Sequence, residues 1–198
     1  MTGRRSVAVL IFPGVELLDF AGPFEVFSAA RPSTDSPVRL MDVFTVAETR
    51  DAIRCNNPVT VLPDYALADC PRADVLVVPG GMGTRSAVNR PALIEWIATQ
   101  ASTAEITASV CTGSFLLAKA GLLQDRPATT HWASVERLRG DFPGLDVRAD
   151  ARWVDAGPVI SSAGVSAGID MALYVLARLY GKDVADATAR WIQYDHWR

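Results

Sequence analysis

Cys111 sits where a strand-like apolar run passes without a spacer into a small-residue helix start, Ile106-Thr-Ala-Ser-Val-Cys111-Thr-Gly-Ser-Phe115. A strand that turns directly into a helix holds the turn residue in a strained conformation and lifts its side chain above the sheet, the arrangement of a nucleophile elbow. Ser109 and Gly113 are small enough to allow the turn. The helix that follows points free amides at the sulfur, which lowers a cysteine pKa from about 8.5 to roughly 3.5–7.5. The same amides can hold a developing negative charge. Outside such a context, a free cysteine is most often a small buried hydrophobe, and Cys55 and Cys70 are read that way.

Three further groups stand at the ends of neighbouring strands. Pro79-Gly80-Gly81-Met82-Gly83 stops the run Val75 to Val78, and ligands of open α/β sheets bind beyond the carboxyl ends of strands. Glycines there let backbone amides approach a substrate; no Gly-Lys-Ser/Thr follows, so this is no phosphate loop. Glu16 and Asp19 follow the first strand, and a carboxylate beside a thiol can shuttle its proton. Asp19 lies within the apolar Leu17-Leu18-Asp19-Phe20 cluster, which marks it as the one to be buried and perturbed. His131 is a third candidate, against the commoner structural role of a lone histidine.

The elements that must position these groups are strands alternating with helical segments. Ser6 to Phe12, Val38 to Ala47, Asp74 to Val78 and Ile106 to Val110 read as strands, the continuous apolar runs being those of strands buried on both faces. Residues 53–65 read as a hairpin excursion, and Arg152–Val154 with Val159–Ser161 as a second hairpin. Asp19 is placed in a turn, with Pro23 opening the helix that follows. A long helix carries Val165 to Tyr180, and a last one covers about Val184 to Ile192. The expected fold is a doubly wound, mostly parallel α/β sheet sandwiched by helices, flavodoxin-like, in a single domain over residues 1–198.

Composition narrows the function classes. The 198 residues are 49% hydrophobic and 21% charged with a net charge of -3, which favours neither nucleic acid nor an anionic membrane as partner. Arg4-Arg5 and Arg137/Arg139 read as solvated surface. No stretch approaches the roughly 20 apolar residues of a membrane span. Three cysteines without a CxxC pair suit a reducing compartment, so the cytoplasm is expected. Two histidines are too few and scattered for a zinc site; neither metal nor cofactor is expected. Trp191 and Trp197 are assigned by default to core packing, with a share in a subunit interface as the alternative.

Five blocks carry a resemblance. Val-Leu-Ile-Phe-Pro-Gly-Val-Glu-Leu-Leu-Asp19, Val-Val-Pro-Gly-Gly-Met82, Ser-Val-Cys111-Thr112-Gly-Ser, Ala-Thr-Thr-His131-Trp132 and Ser-Ser-Ala-Gly164-Val165-Ser-Ala-Gly168-Ile-Asp170 stand in this order along the chain. Together they resemble the ThiJ/PfpI superfamily, which is class I glutamine amidotransferase-like. Within it the Cys-Thr-Gly and Ala-Gly-Val-Ser blocks look most like the isonitrile hydratase branch, and also like the sensing domain of AraC-type regulators. The resemblance implies Asp19, Cys111 and Thr112 as catalytic residues and a small-molecule substrate. It implies a binding pocket built by Gly80, Gly81 and Met82 with His131, Trp132, Gly164 and Val165, in a homodimer. Members labelled as proteases often carry histidine directly after the cysteine; Thr112 stands there instead, against a peptidase.

Three functions compete on this basis: a cysteine-dependent hydratase of isonitriles, a glyoxalase- or deglycase-type enzyme using His131, and a non-catalytic sensor of small ligands or oxidants. A complete AraC regulator would need two helix-turn-helix units beyond Arg198.

Overall fold

Runs of branched apolar residues with no polar face can be satisfied only in the middle of a sheet covered on both sides. The computed structural model describes residues 4–197, so positions 1–3 and 198 of the expected domain lie outside the described residues. β1 (Arg5–Leu10), β6 (Val75–Val78) and β7 (Ile106–Val110) hold the centre, flanked by β2 (Met41–Ala47) and the two-residue β5 (Tyr65–Ala66) on one side. β8 (Trp153–Ala156) and β9 (Val159–Ser162) complete the other side, in the order β5-β2-β1-β6-β7-β9-β8. Only β8 runs antiparallel, paired with β9 as the expected hairpin. The excursion at 53–65 contributes β3 (Ile53–Arg54) and β4 (Thr60–Val61), a separate antiparallel pair.

The central strands are fully enclosed: Val7, Val9, Leu10, Val75, Leu76, Val77, Ile106 and Val110 have no exposed surface. Each such side chain contributes about 1.5–3 kcal/mol relative to an exposed position. One group of helices, α1 (Leu17–Ala29), α6 (Ala167–Tyr180) and α7 (Lys182–Trp191), packs together. A second group joins α2 (Thr84–Ala87), α3 (Pro91–Ala101) and α4 (Gly113–Lys119), and α5 (Val135–Asp141) follows a 3-10 turn at Trp132–Ser134. Among the described residues, no helix is long and apolar enough to cross a membrane.

Two local expectations are corrected. Asp19 lies in the first turn of α1, not in a preceding turn, and Pro23 is inside that helix. Proline lacks the N–H that would bond the carbonyl four residues back, so the Asp19 carbonyl loses that bond, while burial of Phe20, Val26 and Phe27 keeps the helix whole. Trp191 is not core: it is 52% exposed, with the Arg31 guanidinium 3.5 Å from its ring centroid, a cation–π contact.

The register brings the chemistry together. Val9 pairs with Val77, Val78 with Ser109, and Val110 with Ser162. Parallel strands in this alignment end at one level, so the segments leaving β1, β6, β7 and β9 emerge side by side.

Candidate active site

Cys111 follows the last residue of β7 with φ 57°, the left-handed region that costs a non-glycine residue about 1–2 kcal/mol. Its backbone is tied down on both sides. The Cys111 N–H is shared between the Ser162 and Ala163 carbonyls, both at 3.2 Å. Its carbonyl accepts from Thr130 Oγ1 at 2.9 Å and Ser114 Oγ at 3.2 Å. Val165, a β-branched residue, is also left-handed at φ 54°; strain of this kind persists where the surroundings over-determine it. The elbow is therefore present, and β9 and the Thr130 loop are its supports.

Asp19 is buried without exposed surface. Its Oδ2 accepts from the Gly80 N–H at 3.0 Å, and Oδ1 is buried with no hydrogen-bond partner. Burial pushes its pKa up to about 7, against the stabilising Gly80 N–H and the Cys111 thiol beside it. The opposite sign of what the helix start promised appears at the sulfur. Burial, with the neighbouring Asp19 charge, pushes the Cys111 thiol up to about 12, although the Thr112 N–H opposes this. Cys111 is 6% exposed and α4 is only seven residues long, so desolvation outweighs the amides at its start. The resting pair is a protonated thiol beside a carboxyl poised near neutrality.

The Gly80-Gly81 loop closes this pair from the side. Thr112 Oγ1 accepts from the Gly81 N–H at 3.0 Å and lies 3.1 Å from Thr84 Oγ1. Thr84 in turn donates to the Gly81 carbonyl at 2.8 Å. A Cβ at Gly80 would lie 2.5 Å from Thr112 N and 2.9 Å from Asp19 Oδ2. Gly80→Ala is accordingly expected to cost about 1–3 kcal/mol through overpacking and to push Asp19 and Thr112 apart. Urea denaturation together with Cys111 alkylation rates checks both effects, and an unchanged pair of values would contradict this packing.

A cavity of about 300 Å³ opens above Cys111. Of the expected residues, Cys111, Thr112, Gly81, Met82, His131 and Val165 line it. Asp19 and Gly80 lie behind Cys111 and Thr112, not on the cavity wall. Gly164 supports the His131 ring, since a Cβ there would sit 2.1 Å from Cδ2. The His131 Nδ1 accepts from the Ala133 N–H at 3.2 Å and so caps the 3-10 turn. Trp132 is the exception: it is 79% exposed and does not line the cavity, because the same turn rotates it outward.

Sequence reasoning missed Asn56, Ala133 and Ser134 on the cavity wall, and three further groups carried by helices. Thr84, Arg85 and Arg137 reach the site from α2 and α5. Arg137, read from the sequence as solvated surface, is instead half-buried with its guanidinium 4.1 Å from the Phe115 ring centroid. Only Arg139 of that pair is exposed. Among the described residues, no group of three or more His, Cys, Asp or Glu side chains is arranged to hold a metal.

A cysteine on a strained strand end is thus backed by a carboxyl from the first strand's exit and flanked by a Gly-Gly loop. The profile of the DJ-1/PfpI family matches residues 5–178. The chain belongs to the DJ-1/PfpI family. The isonitrile hydratase of Pseudomonas putida is 34% identical over 191 residues, covering 96% of this chain and 78% of that protein. The HTH-type transcriptional regulator CdhR of Pseudomonas aeruginosa is 30% identical over 176 residues, covering 89% of this chain and 51% of the regulator. The chain thus spans about half the length of that regulator. Among solved structures, a ThiJ/PfpI family protein from Pseudomonas syringae superimposes with a TM-score of 0.87 at 30% identity, covering 98% of this chain and 76% of that one. Drosophila melanogaster DJ-1beta shares the fold, with a TM-score of 0.78 at 23% identity and 96% and 98% coverage.

Proposed function

We propose that the protein is a cysteine-dependent isonitrile hydratase, converting R–NC and water into the N-substituted formamide. The observation that carries this reading is the buried Asp19 carboxyl beside the Cys111 thiol, on a strained elbow that lines a small cavity. The similarity to the Pseudomonas putida isonitrile hydratase supports it.

The steps follow from the protonation states. The Cys111 S–H proton passes to the Asp19 carboxylate as the sulfur bonds the terminal isonitrile carbon. Asp19 then returns that proton to the same carbon, leaving the thioimidate R–N=CH–S–Cys111. Water adds to the C=N bond, and the adduct R–NH–CH(OH)–S–Cys111 collapses to R–NH–CHO and the free thiol. Asp19 acts through the sulfur side because it has no exposed surface. Glu16 lines the mouth; it takes a proton from the water as oxygen bonds the carbon and passes it to the nitrogen. The Thr112 hydroxyl, engaged by Gly81 and Thr84, positions the Gly-Gly loop; its N–H favours the thiolate.

Incubation with cyclohexyl isocyanide and a panel of other isonitriles should yield formamides, and no turnover across the panel removes this reading. The base form of Asp19 is needed, so kcat/KM is expected to rise as pH passes about 7. The thiol and carboxyl titrate as a coupled pair; a flat profile from pH 5 to 9 would contradict the proton route. A glyoxalase role draws less on the structure, because His131 Nδ1 is engaged in capping. Oxidant sensing is disfavoured by a thiol held protonated. The homodimer implied by the family resemblance, in the cytoplasm, stays part of the proposal; light scattering of a monomer at micromolar concentration would remove it.

A further inference from the structure

Two guanidinium groups line the Cys111 cavity, and neither forms an ion pair among the described residues. Arg85 stands on α2 and Arg137 on α5, and both line the cavity together with Cys111. Neither makes an ion pair or a side-chain hydrogen bond among the described residues, whereas nine other basic side chains do form ion pairs. The Arg137 Nε is buried with no hydrogen-bond partner, an arrangement that costs free energy unless something else satisfies it. Burial weighs most against the Arg137 charge, and the like charge of Arg85 adds to it. The acids nearby do not resolve this. Glu16 at the mouth accepts from Asn56 Nδ2 at 3.0 Å, and Asp141 acts on Arg137 by charge without forming an ion pair among the described residues.

Planar guanidinium forks match carboxylates in geometry and charge. We propose that Arg85 and Arg137 bind a carboxylate carried by the substrate, so that the Cys111 site selects small anionic electrophiles, with isocyano carboxylates as the substrate class. The anionic selection concerns the Cys111 cavity itself, while the isonitrile part rests on the hydratase reading above. A cavity of about 300 Å³ is at the small end of ligand pockets, which suits a short isocyano acid.

Alkylation of Cys111 tests the selection without any turnover. The rates with iodoacetate and iodoacetamide are followed by mass spectrometry of the peptide carrying Cys111, with glutathione as reference thiol. The ratio of iodoacetate to iodoacetamide rates is expected to exceed that of glutathione by about tenfold. It should fall several-fold in Arg137→Gln and in Arg85→Gln, recover in part in Arg137→Lys, and decline with added salt. Arg85 is exposed, so Arg85→Gln keeps the test valid if loss of the Arg137–Phe115 contact impairs folding. In parallel, kcat/KM for isocyanoacetate is compared with its methyl ester. A preference for the acid that shrinks in the same variants supports the proposal. An iodoacetate preference without turnover of either isonitrile supports it and removes the hydratase reading alone. A glutathione-like alkylation ratio that no arginine variant changes overturns it, even if both isonitriles are hydrated.

Discussion

Asp19→Asn is expected to slow turnover by orders of magnitude while making the protein more stable at pH 8. The carboxyl is buried, with a folded pKa of about 7 against an ordinary value of 3.8. A folded pKa raised above the unfolded one means that the native state binds more protons between these values. Stability therefore falls as pH rises from about 4 to about 7 and stays at the lower level above that. Asparagine carries no such proton, keeps an oxygen for the Gly80 N–H, and removes the penalty. The gap in unfolding free energy should open through that window and reach up to about 4 kcal/mol above it. Turnover should drop about 10²–10⁴-fold, the size of a lost acid–base partner. Urea denaturation at pH 5 and pH 8 checks the first part. A gap of equal size at both values would show that Asp19 is not perturbed as its surroundings require.

Cys111→Ala carries the largest effect on activity, a loss of about 10⁴-fold or more, since among the described residues no other cysteine lines the cavity. Its structural effect should be small, about 1 kcal/mol, because the elbow is held by main-chain contacts to Ser162, Ala163, Thr130 and Ser114 rather than by the sulfur. Residues that act as a unit are not additive, so Cys111→Ala combined with Asp19→Asn should be no slower than Cys111→Ala alone. A further loss in the double variant would assign Asp19 a role independent of the sulfur.

The parts of the site legible in the sequence were those fixed by strand exits. Continuous apolar runs locate β1, β6 and β7, and parallel pairing then brings Asp19, Gly80 and Cys111 to one edge. Asp19 stood out because an acid amid Leu17, Leu18 and Phe20 has few places to go but inward. Its helical state was hidden by Pro23, a residue that ordinarily starts a helix, here overridden by packing of the aromatic face. The sign of the Cys111 pKa could not be read locally, since it depends on how deeply tertiary packing buries the sulfur relative to a seven-residue helix. Arg137 and Trp132 exchange expected places for one reason. The 3-10 turn at Trp132–Ser134 sends the indole to solvent and starts α5 so that Arg137 returns over Phe115. Nothing in the spacing of Arg137 and Arg139 signals that turn.

The most direct test of Cys111 as the nucleophile is rapid-quench mass spectrometry of the protein mixed with an isonitrile that it hydrates. A transient adduct of one isonitrile mass on the peptide carrying Cys111, formed and lost at rates compatible with turnover and absent from Cys111→Ala, is the expected result. Formamide released at an undiminished rate by Cys111→Ala would contradict it.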